Sequence, residues 1–174
     1  MEQKTLRLFI FKNVIYTVIV LVCYILQETP RLLAIGNVRP VLVISVIAAI
    51  AMIEGEFAGG LFGLFGGVLC DTAAFHIFGV APLFFLILGC ACGLLVIYLI
   101  QPNVKTAFLL CGGFALIYGI IAHYLIYGIW GYAGANRLLV IKTLPGAVYT
   151  AVFGMAAFLL VKWIHDWFEE KVLE

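Results

Sequence analysis

Long apolar blocks fill this chain, separated by short segments that hold most of its charges, prolines and turn residues. The blocks predict six helices, over about residues 8–27, 39–53, 55–71, 83–100, 106–127 and 144–164. A helix that crosses a bilayer needs about 20 mostly apolar residues. The pattern therefore reads as an all-α integral membrane protein, a single bundle of six transmembrane helices forming one domain over residues 1–174. The first block is longer than the apolar core of a signal peptide, about 7–15 residues. No small-residue cleavage site follows it, so it reads as a retained anchor.

The third block, EGEFAGGLFGLFGGVLCD, differs from the others. Gly55, Gly59, Gly63 and Gly67 recur every four residues, and Asp71 falls on the next step. Gly60 and Gly66 widen the small face, while Phe57, Leu61, Phe62, Leu64 and Phe65 fill the other. In a soluble helix each glycine would be about 1 kcal/mol worse than alanine. In lipid, small residues let helix backbones approach closely. The stripe predicts a helix packed against a partner, ending in an acid. Gly89 and Gly93 repeat the spacing in the fourth helix, which makes that helix a candidate partner for the third.

The segments between blocks add detail. Lys12 and Asn13 lie one turn inside helix 1, where the lysine can snorkel to the interface. Glu28, Pro30 and Gly36 mark a loop whose Leu32, Leu33 and Ile35 rest on the membrane surface. Arg39 and Pro40 open helix 2, since proline suits a first helical position. Glu54, Gly55 and Glu56 form a very short turn. Tyr124, Tyr127, Trp130 and Tyr132 form an interfacial aromatic cluster after helix 5. The longest loop is expected at 128–142, followed by helix 6 with Pro145 in its first turn. Trp163 and Trp167 mark the far interface, ahead of a charged tail HDWFEEKVLE.

Composition agrees with the pattern: 66% of residues are apolar and 11% charged, against about 45–50% and 25% in soluble domains. A net charge of +1 gives no basis for nucleic-acid binding. Six helices put both termini on one side. With the amino terminus inside, the inner segments hold Lys4, Arg7, Lys12, Lys105, Lys162 and Lys171, and the outer ones Arg31, Arg39, Arg137 and Lys142. That bias assigns both termini, Glu54 and Glu56 to the cytoplasmic face and Asp71 to the outer face.

Candidate chemistry is sparse. Five cysteines, Cys23, Cys70, Cys90, Cys92 and Cys111, lack CxxC spacing and read as small packing residues. Asp71 is the leading candidate, because a carboxylate at a membrane helix end needs a partner or water. It reads as a contact to a partner protein, a cap of the bundle, or an interfacial acid in water, capping the next turn with Thr72. Glu54 and Glu56 read as turn acids in the headgroup region. His123 reads as a hydrogen-bonded structural histidine before a proton relay, and His76 has no second histidine near it. No acid and histidine stand at metal-ligand spacing on one helix, and no hydrolase, zinc-protease or nucleotide-binding motif occurs. The expectation is a protein without catalytic residues, metal or cofactor.

The stretch AGGLFGLFGGVLCDTAAFHIFGVAPLFFLILG, preceded by a short helix and an acidic turn, resembles the bacterial rod shape-determining protein family MreD. The matching elements are the small-xxx-Gly repeats, the aspartate, a short loop with a glycine, and an apolar fourth helix. Length, six-helix hydropathy and the charged tail are similar as well. The family commonly carries a Pro-Leu-Gly-like element after the aspartate; here Phe78, Gly79, Val80, Ala81, Pro82 and Leu83 hold that region in another order. The resemblance implies a non-enzymatic scaffold of the cell-elongation machinery in the bacterial cytoplasmic membrane. It implies association with the bitopic protein MreC and, through it, with the filament protein MreB, the glycosyltransferase RodA and a class B penicillin-binding protein. A homo-oligomer is compatible with it.

The same family is similar in fold to vitamin-binding S components of energy-coupling-factor transporters, the alternative reading. Those usually dock on their partner through an alanine pair at four-residue spacing in helix 1. Helix 1 here, LFIFKNVIYTVIVLVCYIL, has no alanine. A vitamin site would have to draw on Asp71, His76, Asn136 and Arg137.

Overall fold

The computed structural model describes residues 2–29, 39–73, 79–124 and 135–173. Its regular structure is helical throughout: α1 (Glu2–Glu28), α2 (Leu42–Glu54), α3 (Glu56–Ala73), α4 (Val80–Tyr98), α5 (Val104–His123) and α6 (Ala135–Leu173). Four of these, α1, α4, α5 and α6, are long and apolar enough to cross a membrane.

The bundle is organised around α2, which touches all five other helices. Its sequence, LVISVIAAIAMIE, is apolar on every side, and Leu42 through Met52 are all buried. A helix without a polar stripe has no face to give to solvent. At 13 residues it is about 20 Å long, well short of the ~30 Å hydrocarbon core. The other five helices close a ring around it in the order α1, α3, α4, α5, α6 and back to α1. Chain neighbours run antiparallel. Gly59 lies against Ala51 and Gly66 against Val43 and Ile47; across the next pair, Gly59 faces Gly89 and Gly67 faces Pro82. Gly112 faces Ala151 and Gly119 faces Thr143.

The ring is uneven. The α3/α4 and α5/α6 seams are close, whereas α4 barely meets α5 and α1 barely meets α6. Aromatic rings plug the α4/α5 seam, with Phe84 and Phe85 at 5.4 and 5.2 Å from Tyr118 between ring centres. On the far side of the bundle, the Thr150 hydroxyl accepts a hydrogen bond from the Val41 N–H at 3.0 Å and donates to the Gly146 carbonyl at 2.8 Å. The Ser45 hydroxyl donates to the Thr150 carbonyl at 2.9 Å. These bonds fix the start of α2 to α6.

Several expected boundaries move. α2 begins at Leu42, so Arg39 and buried Pro40 precede it and do not open it. α4 begins at Val80, which puts Pro82 in its first turn, where a missing N–H removes no helical bond. α5 starts two residues earlier than expected and ends at His123. The largest change is α6, which is helical from Ala135 to Leu173. Most of the expected loop and all but the last residue of the expected tail belong to it, and Pro145 lies inside it. At 39 residues it is about 58 Å long, nearly twice the thickness of the hydrocarbon core. Its far end meets the beginning of α1, where the Phe11 and Phe168 rings stand 6.1 Å apart. The surface-resting Leu32, Leu33 and Ile35, the residues Tyr127, Trp130 and Tyr132, and His76 all lie outside the described residues.

Candidate functional site

Two structures dominate the candidate site: a seam of backbone contact between α3 and α4, and a polar cluster at the end of α2.

The seam follows the glycine ladder. A Cβ built on Gly63 would stand 2.2 Å from the Phe85 carbonyl oxygen, and one on Gly67 2.3 Å from the Pro82 Cα. On Gly59 it would meet Ala51 at 2.4 Å and the Gly89 carbonyl oxygen at 2.8 Å. The partner positions are equally tight: Gly89 would collide with the Gly59 backbone at 2.1 Å, and Gly93 with Glu56 at 2.4 Å. Apart from Ala51, the obstructing atoms are backbone, which cannot rotate aside. Gly59 and Gly89 thus face each other, while Gly63, Gly67 and Gly93 each meet the backbone of the facing helix at Phe85, Pro82 and Glu56. Gly66 turns instead to Val43 and Ile47 of α2.

Gly55 plays a different part from its ladder companions. It caps α2 with φ 93° and ψ −175°, and a Cβ there would meet nothing within 4 Å. This is backbone space that residues with a side chain seldom occupy. Gly55 lets the chain reverse between Glu54 and Glu56 in a single residue.

Asp71 continues the ladder by one step and therefore faces the beginning of α4. Its carboxylate Oδ2 accepts a hydrogen bond from the N–H of Gly79, the residue ahead of α4. Asp71 is buried, and it joins α3 to the start of α4 across the intervening residues. Thr72 is occupied elsewhere, donating to the Leu69 carbonyl at 2.6 Å and lying 3.3 Å from the Tyr24 hydroxyl.

The polar cluster centres on Glu54. Its Oε2 accepts from Lys12 Nζ at 2.8 Å, and its Oε1 accepts from the Tyr16 hydroxyl at 2.8 Å and lies 2.8 Å from His165 Nδ1. The second ring nitrogen of His165 lies 3.3 Å from Glu169, so, against the sequence expectation, a histidine and an acid do stand four apart on one helix, because the expected tail is part of α6. The Glu54 and Lys12 side chains are only 12% and 13% exposed, so this is a nearly buried ion pair. Glu54 is thus a nearly buried acceptor shared by three side chains where the sequence reads as a simple turn acid, and Lys12 turns inward to it where the sequence suggests snorkelling. One carboxylate ties α1, α2 and α6 together. Charge-assisted bonds of this kind are the strong ones, but a buried pair gives its main effect when one partner is removed.

The sequence holds half a signal for this cluster. Lys12 and Tyr16 are four apart, hence on one face of α1. His165 lies 111 residues from Glu54 in a segment that looks like a solvated tail, and nothing local links the two.

Glu56 opens α3 and is partly exposed. His123 is buried at the end of α5, with its ring 6.1 Å from that of Tyr124. Asn136 and Arg137 fall in the first turn of α6. The five cysteines are free thiols, with Cys70, Cys92 and Cys111 buried. Among the described residues no group of three or more His, Cys, Asp or Glu side chains is placed to hold a metal ion.

No family model, curated protein or solved structure matches this chain.

Proposed function

We propose that this chain is a non-enzymatic scaffold in the bacterial cytoplasmic membrane, a subunit of the cell-elongation machinery of the kind the MreD resemblance implies. All six helices lie in the bilayer in this reading, with both termini cytoplasmic. Its partner is a bitopic MreC-type protein, which connects it to the MreB filament, RodA and a class B penicillin-binding protein.

The observation that supports the reading is the fold of the stretch carrying the resemblance. Residues 54–90 hold α3 and the first part of α4, helices that touch backbone to backbone and are tied at one end by Asp71 and Gly79. Gly59, Gly63, Gly67 and Gly89 of that stretch are engaged in fixing a shape, and Asp71 is bonded to Gly79 where a vitamin site would need it free. A rigid membrane-embedded body with apolar outer faces fits assembly better than solute capture.

The test is capture from native membranes. Photoreactive residues at Val18 of α1 and Leu61 of α3, both half exposed, are crosslinked in cells and the products identified. The expected partners are a bitopic membrane protein and cell-wall synthases. Recovery of a paired ATPase with its membrane coupling subunit would replace this reading with the S-component one.

A further inference from the structure

The α1/α6 seam of the ring is open where its counterpart is filled. Phe84, Phe85 and Tyr118 close the α4/α5 gap with aromatic rings. The α1/α6 gap leaves a crevice of about 240 Å³, with Ile19, Cys23 and Leu26 on one wall, Ala156 and Ala157 on the other, and Ser45 of α2 on its floor. The Ser45 hydroxyl is already donated to the Thr150 carbonyl, so among the described lining residues the weak Cys23 thiol is the side-chain donor left to a ligand.

We infer that this crevice holds one acyl chain of a membrane phospholipid, which fills the α1/α6 seam as the aromatic rings fill the α4/α5 seam. Its dimensions select the occupant. The α6 wall runs from Phe153 to Val161, about 12 Å at ~1.5 Å per residue. A helix ~10–12 Å across fills roughly 960 Å³ or more over the same 12 Å, several times the crevice's 240 Å³, and does not enter. A single polymethylene chain does. The apolar lining suits it, since burying methylene groups needs no polar partner. Three residues ahead of Leu42, which lines the crevice, the chain carries the exposed cation Arg39, whose charge would complement a lipid phosphate.

The experiment uses the full chain in phosphatidylcholine nanodiscs doped with phosphatidylcholine that carries a diazirine at mid-chain. After irradiation, lipid adducts are mapped by peptide mass spectrometry. The expected result is at least fivefold more adduct at Cys23 and Ala157 than at Leu109, an exposed residue of α5. Ala157→Phe and Cys23→Phe, from opposite walls, should each lower crevice labelling at least fivefold and leave labelling at Leu109 unchanged. Equal labelling at the crevice and at Leu109, or undiminished labelling in both variants, would overturn the inference. So would a photoreactive residue at position 23 that, in native membranes, captures a polypeptide in place of lipid. If a variant does not fold, the wild-type ratio decides alone.

Discussion

Replacing Gly63 by alanine adds one methyl group to the α3/α4 seam, and the structure fixes what it meets. The new Cβ would lie 2.2 Å from the Phe85 carbonyl oxygen, 2.7 Å from its carbon and 3.2 Å from the Leu86 nitrogen. A relaxed carbon–oxygen contact between helices is about 3.3–3.6 Å. The helices must therefore separate locally by roughly 1.1–1.4 Å. A gap of about 0.5–1 Å already forfeits a quarter to a half of the attraction of each atom pair, itself ~0.1–0.2 kcal/mol. Over some tens of pairs along the seam that loss is on the order of 1–3 kcal/mol, the range seen for overpacking. Alanine's better helix propensity returns at most about 1 kcal/mol. The net expectation is a destabilisation of about 1–2 kcal/mol, larger for leucine.

The measurement is unfolding in mixed micelles titrated with a denaturing detergent, following helix content. Gly113→Ala is the control, because a Cβ on Gly113 meets nothing within 4 Å. It should leave the midpoint unchanged or raise it slightly. If Gly63→Ala behaves like Gly113→Ala, the seam does not hold the hairpin together and the reasoning fails.

Three further outcomes follow from the same geometry. Gly55→Ala forces a side chain into backbone space near φ 93° and should lower stability by about 1–3 kcal/mol in the same titration; an unshifted midpoint would show that the reversal relaxes freely. Glu54→Ala removes the shared acceptor of Lys12, Tyr16 and His165 and should lower stability by about 3 kcal/mol, as for a broken buried pair. The double variant with Lys12→Met should recover part of that loss, and strict additivity of the two single effects would count against the pair. Asp71→Ala strips the Gly79 N–H of its acceptor and should lower stability by about 1–3 kcal/mol. Asp71→Asn keeps an acceptor oxygen and should retain most of it, so equal losses would point to charge as the operative property.

The legible parts of this fold were those with a local signature. Four-residue spacing marks Gly59, Gly63 and Gly67, and the same spacing marks Gly89 and Gly93, the positions at which α3 and α4 touch. The apolar blocks locate all six helices because lipid and a buried core both demand apolar residues. That same ambiguity hid the architecture. A residue such as Ile47 of α2, fully buried, and one such as Ile97 of α4, 55% exposed, look alike in sequence, so nothing singles out α2 as the hub. In the sequence, helix 6 reads short at both ends for a related reason. Charged and polar residues such as Lys142 or Asp166 suggest loop or tail, yet a helix longer than the bilayer carries its polar ends into water while remaining helical. The Glu54 cluster was illegible because its members come from three helices, and pairing across 111 residues has no periodicity to betray it.

The occupied seam changes where a partner must be sought. A small-residue stripe in a membrane helix invites the expectation that a second protein docks there. In this chain Gly59, Gly63 and Gly67 are covered by α4 and α2, so a crosslinker placed on them would report the chain's own helices. In the proposed reading, the surfaces open to a partner include the opposite face of α3, where Phe57 is 78% and Leu61 54% exposed, and the outer face of α1, where Val14 and Val18 are each 50% exposed. These faces carry no glycine stripe. Association through them must rest on large side chains fitting a partner's grooves, because lipid tails are as apolar as leucine and burial alone gives no drive. The rigidity of the hairpin then matters for recognition: it holds Phe57 and Leu61 in one register, and a variant that opens the seam should weaken partner capture at Leu61 before it weakens capture at Val18.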